Sequence, residues 1–202
     1  MTLTALARPL TMRSTDATWT AADWEQLSDD GNRYEIIDGV LYMSTAPSMF
    51  HQWIIWQIGK VFDRQLVETE IAYFFLAPVG VFIPGCDPVQ PDITVMRRDD
   101  AGILQDKRIR GIPALLVEVL SPSNAEVDLQ TKLAAYARAG LPEYWVVRPA
   151  TRDVLVCSEP VTMAGRYQIT THVAPDDELV SPTLPVRTRV ADFFAGAPNT
   201  ML

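Results

Sequence analysis

Two apolar, β-branched runs, QPDITVMRR and GIPALLVEVLSPS, restrict the folding of this chain more than any other feature. Each has the length of a sheet strand, and each carries one carboxylate, Asp92 in the first and Glu118 in the second. A carboxylate in a buried strand is costly unless it is paired or bound to a metal. Glu118 lies inside LLVEVL, with Val117 and Val119 on the opposite face of the pleat and Leu116 and Leu120 on its own. Pro91 fixes φ and removes a donor just before Asp92, which suits the start of a strand. If the two strands pair side by side, both acids can point to one edge of the sheet. Close carboxylates repel each other, and a divalent cation relieves the repulsion. Mg²⁺, with Mn²⁺ as the substitute, suits one or two carboxylates, waters and substrate phosphate oxygens.

The flanking segments supply the rest of a mixed α/β fold, with helices covering a central mixed sheet. TWTAADWEQLSDDG predicts a short helix, capped by Thr20 with Asp23 three residues on and stopped before Gly31. RYEIIDGVLYMST predicts a hairpin about Asp38-Gly39. SMFHQWIIWQIGKVFDRQLVE predicts a long helix started by Pro47 and Ser48, with Phe50, Ile54, Ile58, Phe62 and Leu66 as its apolar stripe. Gly59 inside it implies a close packing contact. AYFFLAPVGVFI reads as extended, with an edge, bend or bulge at Pro78 and Gly80, and RRDDAGILQDKRIRG as a polar loop. NAEVDLQTKLAAYARAG predicts a second helix, capped by Asn124 and ended by Gly140 and Pro142. EYWVVRP, DVLVCSE and RYQITTHVA predict strands, and Phe193 and Phe194 a docked tail.

At 202 residues and 48% hydrophobic content the chain suits one domain over 19–202, after a flexible lead-in at 1–18. Its two cysteines are too few for a disulfide framework and lack zinc-site spacing. No stretch has signal-peptide or membrane-span character, so the expectation is a cytoplasmic protein without a membrane partner. The net charge of −8 excludes a broad, passive nucleic-acid binder, which needs a basic face. It leaves room for an enzyme that acts on nucleic acid through a local, metal-bearing site.

The second helix adds a cation. Leu129, Leu133, Tyr136 and Ala137 make its apolar face, and Lys132 lies on the inward edge, one turn after Asp128. A lysine aimed at a carboxylate pair can orient or deprotonate a water and steady a developing phosphorane charge. These motifs, QPD, LLVEVLSPSN, then Lys132 followed by Tyr136, Gly140 and PEYW, with RYEIIDG upstream, resemble the Uma-two family. That family is a branch of the PD-(D/E)xK nuclease superfamily, and the resemblance runs from Trp19 to Phe194. It implies a restriction-endonuclease-like core. It implies Asp92 and Glu118 as metal-binding acids and the carbonyl of Val119 as a third ligand. The superfamily lysine two residues after the second acid is Leu120 here, so Lys132 takes its place. Glu35 matches the extra acid of such nucleases.

Each residue also has a plainer reading. Asp92 can be satisfied by backbone N–H groups at a strand start, and Glu118 by an arginine. Lys132 can snorkel to the surface, and Glu35 can sit half-exposed in the hairpin. His51 reads first as a cap or packed residue, and Glu143 and Tyr144 as structural contacts. Trp53, Trp56 and Trp145 read as core or dimer surface ahead of base-stacking platforms. The expected function is a Mg²⁺-dependent endonuclease acting on DNA, with a homodimer as the expected assembly. The alternative is a non-catalytic homodimeric module that keeps the fold.

Overall fold

Turn chemistry and capping set the first module. The computed structural model describes residues 12–14, 18–27, 30–44, 46–84, 86–105, 108–121 and 125–197. Its first elements are β1 (Met12–Arg13), a one-turn helix α1 (Ala21–Trp24), β2 (Arg33–Ile37) and β3 (Val40–Ser44). Most of the expected lead-in lies outside the described residues. Met12 and Arg13, however, pair with Met43 and Tyr42 and give the outer edge of β3 a partner. The Thr20–Asp23 capping box forms as predicted, but α1 ends at Trp24, well before Gly31, because none of its residues is buried. The hairpin turns at Asp38 and Gly39, with φ of 51° and 76°, the left-handed pair that a two-residue turn requires.

Ser48 caps α2 (Met49–Phe62), its hydroxyl accepting from the His51 N–H at 3.2 Å. Ile54, Ile58, Phe62 and Leu66 are fully buried along the predicted stripe. A Cβ on Gly59 would meet the Phe74 ring at 3.4 Å, the close contact its position implied. The last turn, Asp63–Val67, is a π-helix.

AYFFLAPVGVFI is not one strand. It divides into β4 (Ala72–Leu76) and β5 (Gly80–Ile83), which join different sheets on either side of Pro78. After β5 come β6 (Cys86–Val89), β7 (Ile93–Arg97), β8 (Leu104–Gln105), β9 (Arg108–Arg110) and β10 (Leu115–Val119). The expected loop at 97–111 carries, among its described residues, a 3₁₀ turn (Arg98–Ile103) and the two short strands β8 and β9. Ile109, 2% exposed between two arginines, anchors β9 by plain alternation.

The second helix opens as a π-helix, Val127–Lys132, and continues as α3 (Leu133–Ala139). Its expected cap, Asn124, lies outside the described residues. Gly140, at φ 81°, ends it. Then follow β11 (Glu143–Arg148), β12 (Asp153–Val161), β13 (Arg166–Val173) and a small hairpin of β14 (Glu178–Val180) and β15 (Arg187–Arg189), for which the sequence predicts no strands.

The central sheet runs β13-β12-β11-β10-β7-β4. Within this sheet, among the described residues, only β10 and β11 pair in parallel, joined by the crossover through α3 that a parallel pair requires. One face packs Val117, Val119, Trp145 and Val147 against α2 and the docked Phe193 and Phe194. The other packs Leu116, Tyr144 and Val146 against α3 and the small β6-β5-β9-β8 sheet. Among the described residues no helix is long and apolar enough to cross a membrane.

Candidate active site

Strand alternation turns Glu118 away from Val117 and Val119 and toward the α3 face, where the π-helical turn meets it. The π-turn buries both Asp128 and Lys132, and local π geometry of this kind recurs at functional sites. Lys132 Nζ lies 2.9 Å from Glu118 Oε1, 2.9 Å from Glu35 Oε2 and 3.2 Å from Asp128 Oδ1. All four groups are 6% exposed or less. Glu35 Oε1 also accepts from the Gln90 N–H at 2.7 Å, tying the hairpin to the segment before β7.

Asp92 sits one residue before β7, which pairs antiparallel with β10. Its Oδ2 accepts from the Val119 N–H at 2.9 Å and from His51 Nε2 at 3.0 Å. Its Oδ1 receives Arg33, with Nη1 at 2.9 Å and Nη2 at 3.0 Å. Arg33 Nη2 also donates to the Gln90 carbonyl at 2.6 Å. A cavity of about 360 Å³ joins these groups, lined by Glu35, His51, Asp92, Glu118, Asp128 and Lys132 among others.

Four carboxylates here face two permanent cations, an excess of two negative charges when all are ionised. Burial lifts the Glu118 carboxyl well above its ordinary range, aided by Asp128, Asp92 and Glu35 and opposed by Lys132. Burial likewise raises Asp128 to about 6. For Glu35 burial is outweighed by the charges of Lys132 and Arg33, and its pKa is lowered. For Asp92 burial is outweighed by the His51 hydrogen bond and the Arg33 charge, and its pKa is also lowered. Burial would discharge Lys132, but the charges of Asp128, Glu118 and Glu35 overcome it and hold the ammonium protonated. The cluster thus keeps its cations charged and lacks positive charge.

Asp92, Glu118, Lys132 and Glu35 all line one cavity, with Val119 beside them. Glu35 is buried, not a half-exposed hairpin residue. The sequence reading missed Arg33, which opens β2 with no periodic signal and meets Asp92 from 59 residues away. It ranked His51 low, yet that residue touches Asp92. Glu143 and Tyr144 are structural: Glu143 binds Ser181, Thr183 and Trp145, and the Tyr144 hydroxyl donates to the Asp128 carbonyl at 3.1 Å. Trp145 is core, whereas Trp56 is 51% exposed.

The residues fit a hard divalent cation. Carboxylates and a peptide carbonyl are the oxygen donors such an ion takes, and the charge excess is of the right sign and size. Among the described residues no three His, Cys, Asp or Glu side chains form a ready-made cage.

A central mixed sheet covered by helices, with two acids on adjoining strands and a lysine from the next helix beside one cavity, is an α/β protein of nuclease-like fold. Residues 21–191 match the Uma2 family, described as "Putative restriction endonuclease", and the chain belongs to that family. The fold matches the crystal structure of "a putative nuclease belonging to DUF820 from Anabaena variabilis", with a TM-score of 0.73 and 20% identity. The match covers 87% of this chain and 97% of that one. No curated protein matches the chain. Family membership supports an endonuclease-like function, and the fold is of the restriction-endonuclease-like kind.

Proposed function

We propose that the protein is a divalent-metal-dependent endonuclease that hydrolyses phosphodiester bonds in DNA. The observation that carries this reading is an electrically unbalanced cluster on one cavity of about 360 Å³, in which Glu118, Glu35 and Asp128 surround Lys132 and Asp92 meets Arg33. Asp92, Glu118 and the Val119 carbonyl would hold Mg²⁺ or Mn²⁺. When bound, the ion supplies Lewis acidity and an activated water. Asp92 would release one of its present donors to do so, and His51, a side chain free to turn where the Val119 N–H is fixed in the backbone of β10, would be the one given up. Glu118 ionises. Lys132, held charged, stabilises negative charge developing on the phosphoryl oxygens rather than taking a proton. Glu35 fixes the lysine in place. Arg33 keeps Asp92 pointed at the cavity.

One observation favours a second reading, a non-catalytic homodimeric module. Every acceptor position of Asp92 is already filled by Arg33, His51 and the Val119 N–H. Plasmid and linear DNA incubated with the protein across Mg²⁺ and Mn²⁺ concentrations separate the two. The nuclease reading expects cleavage that falls about a hundredfold or more in Asp92→Asn and in Glu118→Gln. Absence of cleavage with either ion, or cleavage untouched by both substitutions, contradicts it.

A further inference from the structure

The rim of the cavity does not share the acidity of the chain. Residues 39–62 contain no aspartate or glutamate, the longest such run in a sequence with 25 acids. Ser44, Ala46, Pro47, Ser48, Phe50 and His51 from this run line the cavity. Met49, flanked by two of them, is 68% exposed. It begins a stripe along the outer face of α2, in which Trp53, Trp56 and Lys60 follow at helical spacing. Eleven residues of helix carry the stripe about 16 Å from the rim.

The stripe has the chemistry of a stacking platform. The Trp53 and Trp56 rings lie 5.1 Å apart. Trp53 is steadied from behind, its Nε1 donating to the Ala195 carbonyl at 3.0 Å. Lys60 Nζ sits 4.4 Å from the centre of the Trp56 ring and donates to Gln57 at 2.7 Å. A positive charge beside an exposed indole, on the one long acid-free stretch of an acidic protein, complements a polyanion that carries aromatic bases. A second copy of this chain would bring the same lysine against it.

We propose that the Met49–Trp53–Trp56–Lys60 stripe binds a single strand of DNA and leads it to the cavity. Bases in a duplex stack on each other, so an exposed indole finds a free base face only on an unpaired strand. Lys60 meets the phosphates. The proposal rests on the nuclease reading, since it takes the cavity as the place where the strand is cut, and it assigns that site unpaired or frayed DNA as substrate.

Binding is measured in EDTA, apart from hydrolysis, by fluorescence anisotropy of labelled oligothymidylate and of a duplex of equal length. The expected result is tighter binding of the single strand, with quenching of tryptophan emission. Trp56→Ala should weaken that binding about tenfold and leave duplex binding unchanged. Trp56→Phe should retain most of it, and Lys60→Ala should flatten its salt dependence. Near-UV circular dichroism checks that each variant keeps the wild-type fold. Equal single-strand affinity of Trp56→Ala and wild type overturns the proposal. So does a wild-type dimer that Trp56→Ala dissociates with oligonucleotide affinity unchanged, since the stripe is then a contact between copies. A protein that binds the strand through Trp56 but cuts no DNA contradicts the nuclease reading and not the platform. One that cuts DNA with no Trp56 dependence of binding does the reverse.

Discussion

Glu118 and Glu143 sit on neighbouring parallel strands, both buried, and they are satisfied in opposite ways. Glu118 shares a face with Tyr144 and Val146 and meets a lysine that two further carboxylates also claim. Glu143 shares the other face with Trp145 and Val147. Its partners are neutral: the Trp145 indole, the Ser181 hydroxyl at 2.7 Å, and the hydroxyl and N–H of Thr183. No ion pair to Glu143 occurs among the described residues. Ser181 turns back on the same loop, receiving the Leu184 N–H at 3.0 Å. Neutral donors that close around an acid make a fastening, here of the β14–β15 segment to β11. Carboxylates that outnumber their cations beside a cavity make a site that is costly without a further cation. Burial alone does not tell the two apart; the charge balance and the opening do.

Substitutions sharpen that contrast, beginning with the largest effect. Glu118→Gln should lower DNA cleavage about a hundredfold or more, while the metal-free variant unfolds in urea at no lower concentration than wild type. Burial already disfavours the charged form of Glu118, so a neutral amide of the same size leaves the fold intact even as it disables the site. Lys132→Met should cost about 3–5 kcal/mol in metal-free urea unfolding at pH 8, because it strips three buried carboxylates of their common partner. Glu143→Ala should cost about 2–3 kcal/mol by leaving buried donors unpaired, with the cleavage rate of the folded protein unchanged. A Glu143 variant that lost cleavage but not stability would erase the distinction.

The smallest of these effects is set by pH. A carboxyl whose folded pKa is raised contributes stability that is full below its unfolded value and lost as pH rises through the folded one. Asp128, raised to about 6, therefore makes the metal-free protein less stable at pH 8 than at pH 5. Glu35 and Asp92, both lowered, act in a separate window and lose their contribution only as pH falls below the ordinary carboxylate range. Urea midpoints in EDTA at pH 5 and pH 8 should show the loss, and Asp128→Asn should reduce it. A midpoint that rises with pH would contradict the charge balance described here.

Much of this was legible in the chain. Alternation placed Glu118 opposite Val117 and Val119, helical spacing turned Lys132 inward beside Asp128, and Asp38-Gly39 marked the hairpin. What stayed hidden was long-range or locally atypical. Arg33 and His51 reach Asp92 from other elements, and no local pattern announces such a contact. Strands β6, β8 and β9 are two to four residues long, and β6 carries a proline and β9 two arginines, so their hydrophobic signal is too weak to read as strand. The π-turn at Val127–Lys132 has the composition of ordinary helix. Only packing on β10 distinguishes it.

The most direct test of the charge argument is calorimetric titration of the metal-free protein with Mn²⁺ and Mg²⁺ near neutral pH. One site should fill at millimolar concentration or below, with protons released as Glu118 and Asp128 ionise, and Asp92→Asn and Glu118→Gln should each abolish it. Absence of binding in the wild type, or binding that both variants retain, would contradict a cation site at the end of these strands.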